Sequence, residues 1–170
     1  LDQVFVPDEN VIGAVDGGWK VAMATTSSER GLSLRSPGRY LATAERLIQL
    51  WKEQGSDPRL RDRVLQCWMD AQAYRMHTYQ PVARMMDGGA IGADSSLNKI
   101  FWSEMDVATH ETALDLLGQL GELEEDAGET VDHGAWMKGY QFALAGPIYA
   151  GTNEIQRNIV AERVLGLPRK

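Results

Sequence analysis

A single cysteine, Cys67, in 170 residues excludes an internal disulfide framework. The three histidines, His77, His110 and His133, are widely separated, and no Cys/His cluster has metal-ligand spacing. Basic residues are in the minority, 17 against 24 acidic, for a net charge of −7. That balance argues against nucleic acid, whose phosphates want a basic face, and against an anionic membrane surface. No apolar run approaches the length needed to cross a bilayer. Internal repeats and low-complexity tracts are lacking too. Leu1 is not an initiator methionine, and no basic-then-apolar targeting pattern follows it. What is there is one domain's worth of residues, 44% hydrophobic and 24% charged.

The negative charge is concentrated. Glu122, Glu124, Glu125, Asp126, Glu129 and Asp132 fall in one short stretch without a base. The stretch contains Gly128 and has no apolar period, so it reads as a solvated connection.

Val4, Phe5 and Val6 form a short β-like run closed by Pro7-Asp8-Glu9-Asn10 and Gly13. Everything after it reads as helix, so a strand here has nothing to pair with and the chain is expected to begin mid-protein. The first helix is expected after Gly17-Gly18, with apolar residues Tyr40, Leu41, Ala44, Leu47, Ile48 and Trp51 at spacings of three and four. Ser36-Pro37 should kink or interrupt it. Gly55-Ser56-Asp57-Pro58 should stop it and restart the chain, with Asp57 as N-cap and Pro58 at the first helical position. The second helix shows Leu60, Val64, Cys67, Trp68, Ala71 and Tyr74 on one side and runs to Asp87-Gly88-Gly89. A third starts at Asp94-Ser95-Ser96 with two apolar stripes, Leu97, Phe101, Met105 and Ala108, and Ile100, Val107, Leu114 and Leu117. Two such faces predict a helix buried on most sides. Helices are also expected over 134–145, broken by Gly146-Pro147, and from an N-cap at Thr152 through Ile155, Ile159, Val160 and Val164. Long helices with short connections predict an all-α, antiparallel four-helix bundle.

Candidates for chemistry read from residue types alone are few. His110-Glu111 begins like a zinc-binding helix motif, but Leu114 stands where the second ligand would be. Gly118 and Gly121 resemble part of a phosphate loop, although no strand precedes them. Cys67 lies on an apolar helix face, as a small core residue does.

The segment Gly146-Pro-Ile-Tyr-Ala-Gly-Thr-Asn-Glu-Ile-Gln-Arg-Asn-Ile-Val-Ala-Glu-Arg-Val-Leu-Gly-Leu-Pro-Arg169 carries more. It resembles the C-terminal signature of the acyl-CoA dehydrogenases. Val4 to Gly13 looks like the end of that family's middle β-domain, and Gly17-Gly18-Trp19 with Ser28-Glu29-Arg30 resembles the start of its C-terminal helical domain. The resemblance implies a remnant of the β-domain over 1–14 and the C-terminal four-helix domain over 15–170.

It also implies a chemistry, the α,β-dehydrogenation of an acyl-CoA thioester with FAD as cofactor. A carboxylate base must meet the α-proton in a desolvated pocket that raises its pKa. Many members place this glutamate directly before the Gly-Thr of the terminal motif, where this chain has Ala150. Others place it on the first long helix before an arginine, a position that Glu29-Arg30 matches. The resemblance thus implies Glu29 as the base, with Arg30, Tyr149 and Gly151 at the acyl site. Thr152 and Glu154 fall where the family contacts the flavin nucleotide, and a helix N-terminus opened by Thr152 would offer amides to an anion. Gly118 and Gly121 fall where backbone approaches the pyrophosphate of a neighbouring subunit's flavin, although Asp115 and Glu122 flank them.

The implied partners are an acyl-CoA substrate, an electron-transfer flavoprotein, and further subunits of a homo- or hetero-oligomer, dimer or tetramer. Nucleic acid and membrane are not among them. The implied location is the cytoplasm, or the mitochondrial matrix in a eukaryote. These residues alone are expected to be inactive. Two other readings stay open: a non-catalytic helical assembly subunit of a hetero-oligomeric dehydrogenase, and an acyl-CoA oxidase.

Overall fold

The computed structural model describes residues 2–28, 36–89, 92–93, 95–125 and 127–169. The chain divides into two units, Leu1–Gly31 and Leu32–Lys170.

In the first unit the Val4–Val6 run forms no strand among the described residues. A single 3-10 turn at Asp8–Asn10 follows, closed by the Val11 amide on the Asp8 carbonyl at 3.1 Å. An isolated strand has no ladder in which to satisfy its backbone groups, and this unit supplies no partner for one. Helix α1 spans Gly18–Ser28.

The second unit holds α2 (Ser36–Glu53), α3 (Arg61–Met86), α4 (Ser95–Leu117), α5 (Ala135–Ala143) and α6 (Asn153–Ile159). The stretch predicted as one interrupted helix is therefore two, α1 and α2, and residues 29–35 between them lie outside the described residues. Pro37 sits in the first turn of α2, where its missing N–H leaves no helical bond unmade. A left-handed pair, Gly55 at φ +84° and Ser56 at φ +58°, ends α2 as the Ser56 amide reaches back to the Trp51 carbonyl at 2.9 Å.

The expected N-cap of α3 needs correction. Asp57 caps a separate turn ahead of the helix: its carboxylate accepts from the Arg59 amide at 2.8 Å, and the Leu60 amide bonds the Asp57 carbonyl at 3.2 Å. Helix α3 proper starts at Arg61 with Leu60 as its N-cap. It continues through Pro81, which has no N–H for the His77 carbonyl, to the expected end at Asp87.

Helix α4 is the centre of the bundle, packed against α2, α3, α5 and α6. Its burial on most sides was legible; the residues it buries were not. Leu97 and Ala108 from the expected stripes are exposed, while Ser96, Lys99, Ser103, Asp106 and His110 are buried, followed by Ala113 and Leu117. Those seven alternate at three and four residues, the spacing of an inter-helix seam, with polar side chains at the first five. Apolar packing fills the flanks. Leu47, Leu50, Val64, Cys67, Ala113, Leu117 and Trp136 form one cluster, and Tyr40, Ala44, Ala71, Tyr74 and Met105 another. Cys67 is a buried core thiol, as its position on the apolar face implied.

Beyond the acidic connection the backbone turns left-handed at Asp132 (φ +51°), His133 (φ +54°) and Gly134 (φ +67°) before α5 begins. Asp132 is held there by Arg46 at 2.6 and 2.9 Å and by the Trp136 indole N–H at 2.8 Å. Helix α5 ends at Ala143, followed by turns to Ala150. Thr152 is the N-cap of α6, its hydroxyl accepting from the Ile155 amide at 3.4 Å. The last helix changes character after Ile159, widening to a π-type turn over Val160–Val164.

Candidate functional site

The sequence motif from Gly146 to Arg169 folds into a tight turn that feeds α6. Gly146 is pressed between the Ala143 carbonyl and the Trp102 ring, which a Cβ would meet at 2.9 and 3.1 Å. Two left-handed residues follow in succession, Ala150 at φ +54° and Gly151 at φ +86°. The buried Gln156 amide lies under them, donating to the Ala150 carbonyl at 3.0 Å and the Gly151 carbonyl at 3.2 Å. A Cβ on Gly151 would stand 2.7 Å from that Nε2. The close approach that requires a glycine here is thus made by the protein's own glutamine.

Tyr149 is half-exposed beside this turn, its ring 5.8 Å from that of Trp102. Burial raises its phenol above the ordinary range, with Arg39 opposing. Thr152 and Glu154 follow directly. Glu154 is an exposed carboxylate held below its usual range by its own backbone amide and by the Thr152 hydroxyl. Tyr149, Gly151, Thr152 and Glu154 are therefore brought onto one turn.

A polar network on α4 anchors that turn, and sequence reasoning missed it. Lys99, only 2% exposed, donates to Asn153 Oδ1 at 2.7 Å, and Ser103 Oγ shares the same acceptor at 3.2 Å. Asn153 Nδ2 donates to Glu104 at 3.2 Å, and Glu104 also pairs with Arg157. Burial pulls the Lys99 ammonium below its ordinary range, with the carboxylates of Glu154 and Glu104 opposing. One turn of the seam away, Asp106 is buried, takes a bond from Arg39 at 3.1 Å and lies 3.3 Å from His110 Nδ1. The Arg39 guanidinium lies near the rings of Tyr40 and Phe142, 5.2 and 5.8 Å from their centroids. A three/four spacing of polar residues along α4 was the available signal; assigning the core to apolar residues alone hid it.

The other glycine pair stands elsewhere. Gly118 and Gly121 follow the C-terminal end of α4, whereas Lys99 and Ser103 hold α6 near its N-terminal end. At 1.5 Å per residue the two places are separated by roughly 20–30 Å along the helix. Gly118 is exposed at φ +54° with nothing within 4 Å of a built Cβ. Gly121 is buried, and a Cβ there would meet Leu114 and Leu117 at 3.1 and 3.3 Å, so this glycine serves packing. Asp115 is paired with Arg63 at 2.5 Å, which offsets the charge it would bring towards a phosphate. Glu29 and Arg30 lie outside the described residues. Among the described residues no cluster of three potential ligands could hold a metal, and no helix is long and apolar enough to cross a membrane.

The family model described as "Acyl-CoA dehydrogenase, C-terminal domain" matches residues 16–165. The chain belongs to that family. Among acyl-CoA dehydrogenases, the enzyme IpdE1 of Mycolicibacterium smegmatis is 39% identical over the whole chain, and IpdE1 of Mycobacterium tuberculosis is 37% identical. The chain spans 43% and 45% of those two relatives, less than half of each. A solved structure described as "Tcur3481-Tcur3483 steroid ACAD" superposes on 97% of the chain with a TM-score of 0.85 at 24% identity, covering 44% of its own chain. The ChsE4-ChsE5 complex from Mycobacterium tuberculosis superposes on 97% with a TM-score of 0.82 at 21% identity, covering 45% of that chain. At those identities the likeness is one of fold. It places the observed bundle as the acyl-CoA dehydrogenase C-terminal fold, as the terminal motif implied.

Proposed function

We propose that this chain is the C-terminal domain of an FAD-dependent acyl-CoA dehydrogenase that introduces a double bond between the α and β carbons of an acyl-CoA. The observation that carries the reading is the buttressed turn Tyr149–Glu154, whose residues match the family's terminal signature and stand together on one surface. The boundaries 1–14 for the end of a preceding β-domain and 15–170 for the helical domain belong to the same proposal.

The residues present fit a flavin nucleotide in part. Thr152 and Glu154 are half-exposed or exposed at the start of α6, and the free space at Gly118 admits a close-lying group. When bound, the flavin accepts the hydride from the β carbon. Glu29 is the proposed base for the α proton, and Arg30 orients it or lines the acyl site. Tyr149 supplies an apolar ring edge beside the acyl group and helps exclude water, which raises the pKa of a carboxylate base there and makes it the stronger proton acceptor. Gly151 contributes its backbone to the acyl site, its missing side chain making room for the Gln156 amide beneath the turn. Since Gly118 and the terminal turn are at opposite ends of α4, a flavin held by both would take them from two subunits, which makes a dimer or tetramer part of the proposal. An electron-transfer flavoprotein is the proposed electron-accepting partner of the full-length protein.

Glu29→Gln in the full-length protein, prepared with any partner subunit, tests the base. Dehydrogenation should fall by at least about 10³-fold with flavin still bound. Unchanged turnover would remove Glu29 from the mechanism. The substrate panel should include straight-chain acyl-CoAs and a steroid side-chain acyl-CoA, because a similar structure is described as a steroid enzyme. Ala150 in place of the common glutamate, together with the Glu122 carboxylate beside Gly118–Gly121, favours a second reading as an assembly subunit. A preparation that stays colourless with FAD yet activates a sister subunit would select it.

A further inference from the structure

The turn at 147–152 adopts an improbable backbone, and its shape is imposed from underneath. Ala150 and Gly151 are both left-handed, and a side chain at residue 150 would ordinarily leave that region. Two contacts hold them. At the entrance the Asn153 amide bonds the Pro147 carbonyl at 2.9 Å, and Asn153 is itself fixed by Lys99. At the centre, Gln156 Nε2 takes the carbonyls of both left-handed residues at 3.0 and 3.2 Å. Gln156 is 0% exposed, and its Oε1 has no hydrogen-bond partner. A buried amide is left half-satisfied so that its donor can serve two carbonyls, an expense that side-chain packing alone would not require. The N–H of a trans peptide opposes its C=O, so tying these two carbonyls inward turns the amides of Gly151 and Thr152 away from Gln156.

We propose that Gln156 is a positioning residue for the reaction, fixing the Ala150-Gly151 peptide planes so that Tyr149 and the backbone amides of Gly151 and Thr152 meet the acyl thioester in one geometry. The proposal rests on the dehydrogenase reading above. Lys99 supports it through Asn153, and the Gln156 amide is the element that sets the turn's shape. Misplacing groups at a reacting centre by about an ångström costs on the order of 100-fold in rate, far more than in binding.

The test compares wild type with Gln156→Met in the full-length protein. Hydrogen exchange of peptides covering residues 147–153, followed by mass spectrometry without flavin, reads the turn independently of activity. Exchange there should accelerate about tenfold or more, while peptides from α2 and α3 and the melting temperature stay near wild type. With flavin bound, kcat should fall about 10- to 100-fold with KM for acyl-CoA little changed. Should Gln156→Met fail to fold, Gln156→Glu has the same shape and sets an acceptor against two carbonyls, so the same pair of effects is expected. Unchanged local exchange and kcat in a folded variant would overturn the positioning role. Accelerated exchange in a protein whose wild type oxidises no acyl-CoA would instead overturn the dehydrogenase reading.

Discussion

Ala150 and Gly151 adopt neighbouring left-handed conformations under different constraints. Gly151, at φ +86°, has Gln156 Nε2 where a Cβ would be, so alanine there carries both backbone strain and overpacking. The first costs about 1–2 kcal/mol and the second about 1–3, less about 0.4–1 from the reduced entropy of the unfolded chain, so Gly151→Ala should destabilise the domain by about 1–4.5 kcal/mol. Ala150, at φ +54°, already bears the strain. Ala150→Gly relieves about 1–2 kcal/mol and returns about 0.4–1 as unfolded-chain entropy, for a net gain of up to about 1.6 kcal/mol. Chemical denaturation of the two variants checks the opposite signs. Arg39 poses a different residue-scale question, since it partners the buried carboxylate of Asp106 at 3.1 Å. Removing it strands that charge, and Arg39→Ala should cost about 2–4 kcal/mol, much of it recovered on adding Asp106→Asn. The exposed Arg59–Asp57 pair offers the control, because Arg59→Ala should leave the melting temperature where it was.

At the scale of elements, the left-handed entry to α5 depends on one carboxylate. Burial alone would raise the Asp132 pKa, but hydrogen bonds from Arg46 and the Trp136 indole outweigh it and leave the group below the ordinary carboxylate range. A depressed folded pKa contributes stability that is full above the unfolded value and disappears as pH falls through the folded one. Asp132→Asn should therefore lower the melting temperature near pH 6–7, and the gap to wild type should close below about pH 4. A gap independent of pH would show that shape, and not charge, holds the turn. The sequence signalled little of this, because Arg46 and Asp132 are far apart in the chain and an acidic run reads as solvated. What could be read were features set locally: the α2 and α3 core faces, the Thr152 cap and the Gly146-Pro147 break. What could not were features set by neighbours. Asp57 looks like a helix cap but closes a turn that Trp51 stabilises through the Asp57 carbonyl at 2.9 Å. The seam of α4 buries Lys99, Asp106 and His110 because partners on α2 and α6 satisfy two of them and the helix's own Asp106 meets the third. Along the candidate site, the motif identified the turn, yet nothing in its letters showed that Gln156 and Lys99 hold it from beneath.

For the molecule as a whole, a long apolar face remains uncovered. Leu65, Met69, Met76, Tyr79 and Met86 project from one side of α3 at 40%, 49%, 65%, 50% and 84% exposure. Their helical angles fall within a sector of about 100°, so they form a stripe and not scattered single residues. Monomeric proteins rarely keep such stripes in water, and the relatives are more than twice the length of this chain. The 170-residue chain alone should therefore self-associate. Its net charge of −7 opposes that contact between copies, so association should strengthen as salt screens the repulsion. Sedimentation velocity across a concentration series, at about 0.05 and 0.5 M salt, reads both effects. Met69→Gln with Met76→Gln should shift the population to monomer while changing stability by less than about 1 kcal/mol, because both side chains are already in water. A monomer at every concentration and both salt levels would mean that the stripe is tolerated by itself and drives no assembly.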